Sequence, residues 1–175
     1  MPSIMDSLRA KGRGIAEGLE ARSRGLVGVF ARLSKEHGEV SALLDRVRDE
    51  PAKRTDLWSK IRLDLLGHER AELETVYAEL RTDTRGRELA ELHDAEAAQL
   101  DALIRSVDGA AIDSETWLAT FEQLAIAVTI HAEEEETELF PKAQDLLGKE
   151  RAKSLDDAYV AAKKRAAKII ASPAE

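Results

Sequence analysis

Residues 117–140, WLATFEQLAIAVTIHAEEEETELF, decide how the rest of the chain is interpreted. Apolar side chains recur in this stretch every three or four residues, which puts them on one face of a helix. His131 and Glu135 continue that face at four-residue steps. An imidazole and a carboxylate that face a core each need a partner, because burying them unpaired is costly. A metal ion, a hydrogen-bonded His/Glu pair and a solvated helix end each satisfy this need, and the stretch alone leaves all three open.

The composition predicts an all-α protein of one domain. A chain of 175 residues can build one sizeable core but not two comfortable ones. Ala, Leu, Glu and Arg are abundant, whereas only 4% of residues are aromatic and only 4 are proline, which favours helix over strand. Cysteine is absent, so a metal site would have to use nitrogen and oxygen ligands.

Charge and hydropathy limit the classes of partner. A net charge of −8 argues against nucleic acid. No apolar run approaches the roughly 18 residues of a membrane span, and the N-terminus lacks the apolar core of a secretory signal, so a cytoplasmic protein is expected. Basic residues near both ends of the chain could contact an acidic partner or the acidic segment 133–138 of the protein itself.

Four helical patterns share one feature: a histidine interrupts each apolar face. The first face runs over residues 26–47 and ends before Pro51; the second runs over 57–80, with Thr55 or Asp56 as its cap; the third runs over 89–107, after a connection at 82–86. The fourth is residues 117–140, capped by Ser114, and Pro141 should kink or end it. The histidines, which are the only ones in the chain, are His37, His68, His93 and His131.

Further helices are expected on either side of these four. Near the N-terminus, Ile4, Leu8, Ile15 and Leu19 have helical spacing, but three glycines weaken the pattern, so this helix should dock late or fray. Binding to a membrane surface or a partner is the alternative. A C-terminal helix over residues 149–175, frayed at 172–175, should pack on the others or form a dimer contact. The predicted organisation is an N-terminal extension (1–24), a helical domain (25–148) and a C-terminal helix (149–175).

Short connections predict that the four central helices form an up-down-up-down antiparallel bundle. Residues equally far from a turn then lie at the same depth. The midpoint between His37 and His68 falls in the first turn, and the midpoint between His93 and His131 falls in the third. All four rings should therefore face inward in one layer, together with Glu72 and Glu135. Core histidines that satisfy one another without metal are the alternative.

Four imidazoles and two carboxylates limit the metal that could bind. They are too many ligands for one tetrahedral zinc ion and too rich in nitrogen for magnesium or calcium. They suit two iron or manganese ions, with carboxylates bridging and at least one position open.

The order of these residues resembles the haemerythrin-like, or HHE cation-binding, family, in which a lone His followed by HxxxE is repeated. The resemblance covers roughly residues 26–147 and lies in His37, His68 with Glu72, His93, and His131 with Glu135. It implies a four-helix bundle that holds two iron ions joined by an oxo or hydroxo bridge. The four histidines would be terminal ligands and the two glutamates would be bridges. In some members a carboxylate beside the second-helix His also binds metal, which here would be Glu69.

The chain departs from the oxygen-carrying members at two positions. Ala97 stands where they have a fifth imidazole, which suggests an open or water-filled position. Their last carboxylate lies one residue later, which would make Glu136 the ligand, but helical geometry favours Glu135. Glu96 could fill the missing position, although a solvated flank is the preferred interpretation for it. For Tyr77, packing in the core or at the rim is preferred over a ligand role.

Three functions follow from these patterns. The first is a di-iron protein that binds or senses O2, peroxide, NO or iron. The second is a catalase- or peroxidase-like enzyme that consumes hydrogen peroxide, since Ala97 leaves a labile position. The third is a metal-free helical module that binds a protein partner through the basic terminal segments.

Overall fold

The computed structural model describes the backbone of residues 4–171 and the side chains of residues 11–171. The expected contributions of the Ile4 and Leu8 side chains and the frayed end at 172–175 lie outside this part. Within it all regular secondary structure is helical, with no strand, which confirms the all-α prediction. No helix there is both long enough and apolar enough to cross a membrane.

The helices follow one another with short connections. They are α1 (Ile4–Ser23), α2 (Val29–Asp49), α3 (Arg54–Glu74), α4 (Val76–Leu80), α5 (Thr84–Asp108), α6 (Glu115–Glu134), α7 (Phe140–Leu147) and α8 (Lys149–Ala171). A 3-10 turn, Pro51–Lys53, joins α2 to α3, and a π-helical segment, Glu135–Leu139, joins α6 to α7. Helix α2 contacts α3 and α6, while α5 contacts the same two helices. Helix α1 lies along α2, and α8 lies against α3 and α2.

Two apolar clusters make up the core, and the histidines separate them along the sequence. One cluster contains α2 after His37, α3 before His68, α5 after His93 and α6 before His131. The other contains residues on the opposite side of each histidine, together with α7 and α8. Along the chain, each histidine therefore lies between residues of the two apolar clusters.

The helix boundaries agree with the sequence at some ends and not at others. The predicted cap Ser114 accepts a hydrogen bond from the Trp117 amide, and α2 ends just before Pro51. The predicted caps Thr55 and Asp56 are wrong, because α3 already begins at Arg54. The second face is not one continuous helix either: it breaks at Thr75, whose hydroxyl donates to the Ala71 carbonyl.

Helix α1 docks through its small residues, which corrects the expected apolar face. Ile15 and Leu19 are 54% and 58% exposed, whereas Gly14 and Gly18 are buried against α2. A Cβ built at Gly14 would lie 2.5 Å from the Lys35 carbonyl oxygen, so no larger residue fits there. The glycines that weaken the helical pattern in the sequence therefore allow the two helices to approach closely.

Replacing Gly14 by Ala should lower the free energy of unfolding by about 1–3 kcal/mol, the usual cost of overpacking. Gly12→Ala is the matched control, because its Cβ meets nothing within 4 Å. That change should stabilise the protein by about 0.5–1 kcal/mol through helix propensity. Urea unfolding of both variants is the measurement, and equal effects would contradict close helix packing at Gly14.

Candidate metal centre

The four histidines come together in the polar layer between α2, α3, α5 and α6. His93 is fully buried, and His68 and His131 are 5% and 6% exposed. The Nε2 atoms of His37 and His68 lie 3.2 Å apart, and the ring centroids of His93 and His131 are 5.5 Å apart. The structure thus brings the imidazoles together as two neighbouring pairs.

Three buried carboxylates lie between these pairs. Glu135 lies 3.3 Å from His37 Nε2 and 3.4 Å from His93 Nε2, so it spans the two pairs. Glu72 spans them as well, at 3.3 Å from His68 Nε2 and 3.7 Å from His93 Nε2.

Glu69 lies closest to the second pair. Its oxygens lie 3.2 Å from His131 Nε2 and 3.5 Å from His93 Nε2. Position 69 faces α5 and α6, and those helices supply the second pair of imidazoles.

Many polar atoms at this centre have no hydrogen-bond partner in the protein. Within the described part of the chain, buried atoms of this kind at the centre are Glu69 Oε2, both Glu72 carboxylate oxygens, both His93 nitrogens, His131 Nε2 and Glu135 Oε2. Leaving so many buried polar groups unsatisfied would be very costly. Four groups of three side chains hold ligand atoms within 4.8 Å of one another, and each group contains both imidazole and carboxylate. The centre therefore has the donor set and the spacing of a metal site.

Outer carboxylates orient three of the four imidazoles. Glu136 lies 2.8 Å from Nδ1 of His37, Glu36 lies 3.0 Å from Nδ1 of His68, and Glu96 lies 3.1 Å from Nδ1 of His131. A carboxylate on Nδ1 holds the proton there and turns the lone pair of Nε2 toward the centre, as in many metal sites whose histidines are held by acidic residues.

Comparison with known protein families gives a match over most of the chain. The model of the Hemerythrin HHE cation binding domain matches residues 29–143, from the start of α2 into α7. The chain belongs to this family. Hemerythrin HHE domains bind metal cations. No curated protein and no solved structure matches the chain.

Tyr77 completes the interior of this hemerythrin-type site. Its ring stacks on the His93 ring with centroids 3.7 Å apart, and its hydroxyl donates to Glu135 Oε1 at 2.7 Å. Tyr77 therefore positions Glu135 and holds the one imidazole that lacks an outer carboxylate. The interpretation of Tyr77 as core packing is correct for its ring but omits its hydroxyl.

The electrostatics of the metal-free site favour charged imidazoles. Burial lowers the pKa of His131, but the charges of Glu135 and Glu69 and the hydrogen bond to Glu96 outweigh burial and raise this pKa to about 12. Burial also opposes charge on His37, yet its contacts with Glu135 and Glu136 raise its pKa to about 10.

The pKa values of Glu135 and Glu72 are shifted in opposite directions. Burial acts to raise the pKa of Glu135, but the neighbouring imidazoles lower this pKa well below its ordinary value. The pKa of Glu72 is raised, first by burial and then by the charge of Glu135. Without a cation, the centre therefore relies on imidazolium charge to neutralise its carboxylates.

The π-helical segment explains how two consecutive glutamates both face the interior. The Phe140 amide donates to the Glu135 carbonyl, one residue further back than in an α-helix. Pro141 lacks an amide hydrogen, and the wider turn accommodates it without ending the helical path. The carboxylate of Glu135 lies in the centre. The carboxylate of Glu136 contacts Nδ1 of His37 and forms an ion pair with Arg24 at 2.8 Å. Glu136 is therefore also buried, on the outer side of His37.

The structure also assigns positions to Glu96 and Ala97. Glu96 does not occupy the solvated flank that the sequence favoured, because its carboxylate contacts His131 Nδ1. Ala97 is 8% exposed and offers no ligand atom.

Helix α8 contributes a contact network that the sequence pattern did not predict. Tyr159 donates to Glu36 at 2.7 Å, and Lys163 contacts the same carboxylate oxygen, which in turn contacts His68. The only available signal was a tyrosine within the apolar face of α8. One basic residue from each terminal segment, Arg24 and Lys163, therefore pairs with an acidic residue of the same chain.

Tyr159→Phe should lower the free energy of unfolding by about 1.5–3 kcal/mol, the range for a hydrogen bond to a charged group. The variant keeps the ring, whose edge-on contact with His68 has a centroid distance of 6.1 Å. Denaturant unfolding of the metal-free protein measures the effect. Unchanged stability would mean that the hydroxyl makes no useful contact with Glu36.

Proposed function

We propose that this hemerythrin-family chain binds two iron ions and reacts with small oxygen- or nitrogen-containing ligands. The convergence of unsatisfied buried nitrogen and oxygen atoms in one layer carries the proposal. His37 and His68 would hold one ion, and His93 and His131 would hold the other. Glu72 and Glu135 lie within reach of both pairs and would be shared.

Glu69 completes the second half of the proposed ligand set. Its ion-pair contacts within the described part of the chain are with His93 and His131, so it would supply the donor that Ala97 cannot. The full proposed set is His37, His68, Glu69, Glu72, His93, His131 and Glu135. Ligand atoms bound to one ion at about 2.1 Å lie about 3.0–3.5 Å apart, close to the spacings in both halves. Manganese accepts the same donors, and metal analysis distinguishes the two.

The arrangement of the core supports the up-down-up-down bundle that this function requires. The core cluster that follows His37 on α2 precedes His68 on α3, follows His93 on α5 and precedes His131 on α6. Consecutive helices contact this cluster with residues that alternately follow and precede the histidine. Their directions therefore alternate. We propose residues 25–148 as the bundle, with α1 and α8 as helices added to it.

Bound iron would supply redox chemistry and positions for a small ligand. The protein side chains provide the surroundings. The outer carboxylates keep the imidazoles in the Nε2-binding tautomer, the Tyr77 hydroxyl holds Glu135, and the two apolar clusters exclude water.

Anaerobic loading with Fe2+ tests the proposal directly. About two iron ions per chain are expected, with near-ultraviolet absorption after oxidation that changes on addition of azide or peroxide. Replacing both His68 and His131 by Ala should abolish binding. A wild-type protein that stays colourless and metal-free after loading would overturn the proposal and favour a metal-free interaction module.

Consumption of hydrogen peroxide is the second candidate function. The observation in its favour is that Ala97, one helical turn after His93, has no ligand atom and lines a cleft that also contains Glu69. An oxygen electrode measures peroxide turnover, and a rate no faster than that of free iron would exclude this activity.

A further inference from the structure

A cation from the N-terminal segment reaches the first imidazole pair, His37 and His68, through a carboxylate. Arg24 lies between α1 and α2, outside the residues that match the family. Its guanidinium forms an ion pair with one oxygen of Glu136 at 2.8 Å, and the other oxygen lies 2.8 Å from Nδ1 of His37. The side chain of Glu136 is only 11% exposed, so solvent screens this carboxylate only partly. A single carboxylate therefore separates the charge of Arg24 from an imidazole of the centre.

A cation from α8 reaches the same pair in the same way. Lys163 contacts the Glu36 oxygen that lies 3.0 Å from Nδ1 of His68. The side chains of Lys163 and Glu36 are 25% and 13% exposed. Helix α8, like Arg24, lies outside the residues that match the family. Both imidazoles of the first pair are therefore held by a carboxylate that carries a cation on its outer side.

The second imidazole pair, His93 and His131, has no cation of this kind. Glu96 lies 3.1 Å from Nδ1 of His131, and among the described residues no lysine or arginine forms an ion pair with it. Nδ1 of His93 has no hydrogen-bond partner in that part of the chain. Glu69 adds a further buried carboxylate, 3.2 Å from Nε2 of His131. The two halves of the centre therefore differ in charge, although each contains two imidazoles.

This difference in charge changes how strongly each half can hold a metal ion. A carboxylate on Nδ1 makes an imidazole a stronger donor, and a cation on that carboxylate withdraws part of this effect. The cation also repels a metal ion on the far side of the ring. Both effects weaken binding at the first pair. In the second half the charge of Glu69 attracts the ion instead, and a divalent ion gains about twice as much from it as a proton does.

We propose that Arg24 and Lys163 are positioning residues that make the two metal positions unequal. The position at the second pair fills first, and the position at the first pair holds its ion more weakly and exchanges it with solution. Occupancy of the weaker position then follows the supply of metal, which gives the chain a means of sensing iron. This inference rests on the proposed iron centre. Because both cations come from outside the matched domain, the inequality belongs to the terminal segments of this chain.

Anaerobic titration with Fe2+ in a calorimeter tests the inference. The wild-type protein should bind two ions in two steps whose affinities differ by roughly tenfold or more. Lys163→Met removes the charge but keeps an unbranched side chain, and should strengthen the weaker step by roughly tenfold. Lys163→Arg keeps the charge and should leave both steps as in the wild-type protein. Lys164→Met, the matched control at the exposed neighbouring position, should change neither step.

A second set of variants tests the N-terminal cation and does not depend on the folding of an α8 variant. Arg24→Met should also strengthen the weaker step, and Arg22→Met, at an exposed position nearby, is its control. Glu96→Gln should instead weaken the tighter step by about 10–100-fold, which assigns that step to the second pair. If Arg24 and Lys163 had only a structural role, removing either of them would weaken metal binding rather than strengthen it.

The outcomes separate this inference from the proposed function. Two steps of equal affinity in the wild-type protein, or a weaker step that tightens in neither the Lys163→Met nor the Arg24→Met variant, would overturn the inference while leaving the iron centre in place. The same holds if Glu96→Gln weakens the weaker step instead of the tighter one. A wild-type protein that binds no Fe2+ would overturn the proposed function and this inference together.

Discussion

Replacing Glu135 by Gln is expected to remove at least one of the two proposed metal ions and most of the metal-dependent thermal stability. Glu135 lies 3.3, 3.4 and 3.6 Å from the Nε2 atoms of His37, His93 and His131. No other carboxylate in the described part of the chain has ion-pair contacts with three of the imidazoles. Gln keeps an oxygen for the Tyr77 hydroxyl but loses the charge that two cations require.

The size of the expected loss of thermal stability follows from the coupling between metal binding and folding. A metal at about 1,000 times its dissociation constant stabilises the folded state by about 4 kcal/mol. For a chain of this length that corresponds to a rise in Tm of roughly 8–16 °C. The wild-type protein should show this rise on metal loading, and the Glu135 variant should lose most of it. Differential scanning calorimetry with metal analysis is the measurement.

Glu136→Gln is the matched control, because it changes the neighbouring buried carboxylate in the same way. Glu136 contacts only the outer nitrogen of His37 and Arg24. An outer partner of this kind is worth about 10–100-fold in metal affinity, so both ions should still bind at saturating metal. Equal loss in the two variants, or a greater loss at position 136, would refute the assignment of Glu135 as the shared carboxylate.

Metal binding should release at least two protons near pH 7.5, one from His37 and one from His131. Their pKa values in the metal-free protein are raised to about 10 and about 12, so both rings are charged at this pH. Coordination requires neutral imidazole, and the protons must leave. Affinity should therefore rise by roughly 100-fold per pH unit between about pH 7 and pH 9. A site with ordinary histidines would level off at about pH 7.

The stability of the metal-free protein should have the opposite pH dependence. A raised imidazole pKa contributes stability that is complete below about pH 6.5, the unfolded value, and is lost as the pH rises through 10 and 12. The lowered pKa values of Glu36, Glu69 and Glu135 contribute stability above about pH 4.5, which is lost on acidification. The metal-free fold should therefore be most stable between about pH 4.5 and about pH 6.5.

Isothermal titration with Mn2+ or Co2+ in two buffers of different ionisation enthalpy measures the released protons. Glu96→Gln removes a partner that raises the pKa of His131 and should reduce the release. Glu91→Gln, on the exposed side of α5, is the matched control and should change nothing. Release of well under one proton by the wild-type protein would contradict the charged state of the imidazoles.

The sequence by itself determined the helical class, the approximate positions of the four central helices and the grouping of the four histidines with Glu72 and Glu135. Helical periodicity is local, so the sequence alone shows that a polar residue interrupts the apolar face of a helix. Short connections then bring residues at equal distances from a turn close together. His37, His68, His93, His131, Glu72 and Glu135 could therefore be selected from spacing alone.

Only the tertiary structure decided what surrounds those residues. Glu69 and Glu96 have ordinary helix positions, and their direction depends on where neighbouring helices lie. The π-helical segment puts both Glu135 and Glu136 in the interior, a departure from α-helical periodicity that the spacing rule excludes. Tyr159 reaches the site from a distant part of the chain, and Gly14 docks α1 because a close backbone contact is available on α2. Such contacts join segments far apart in sequence, so no local pattern in the chain could reveal them.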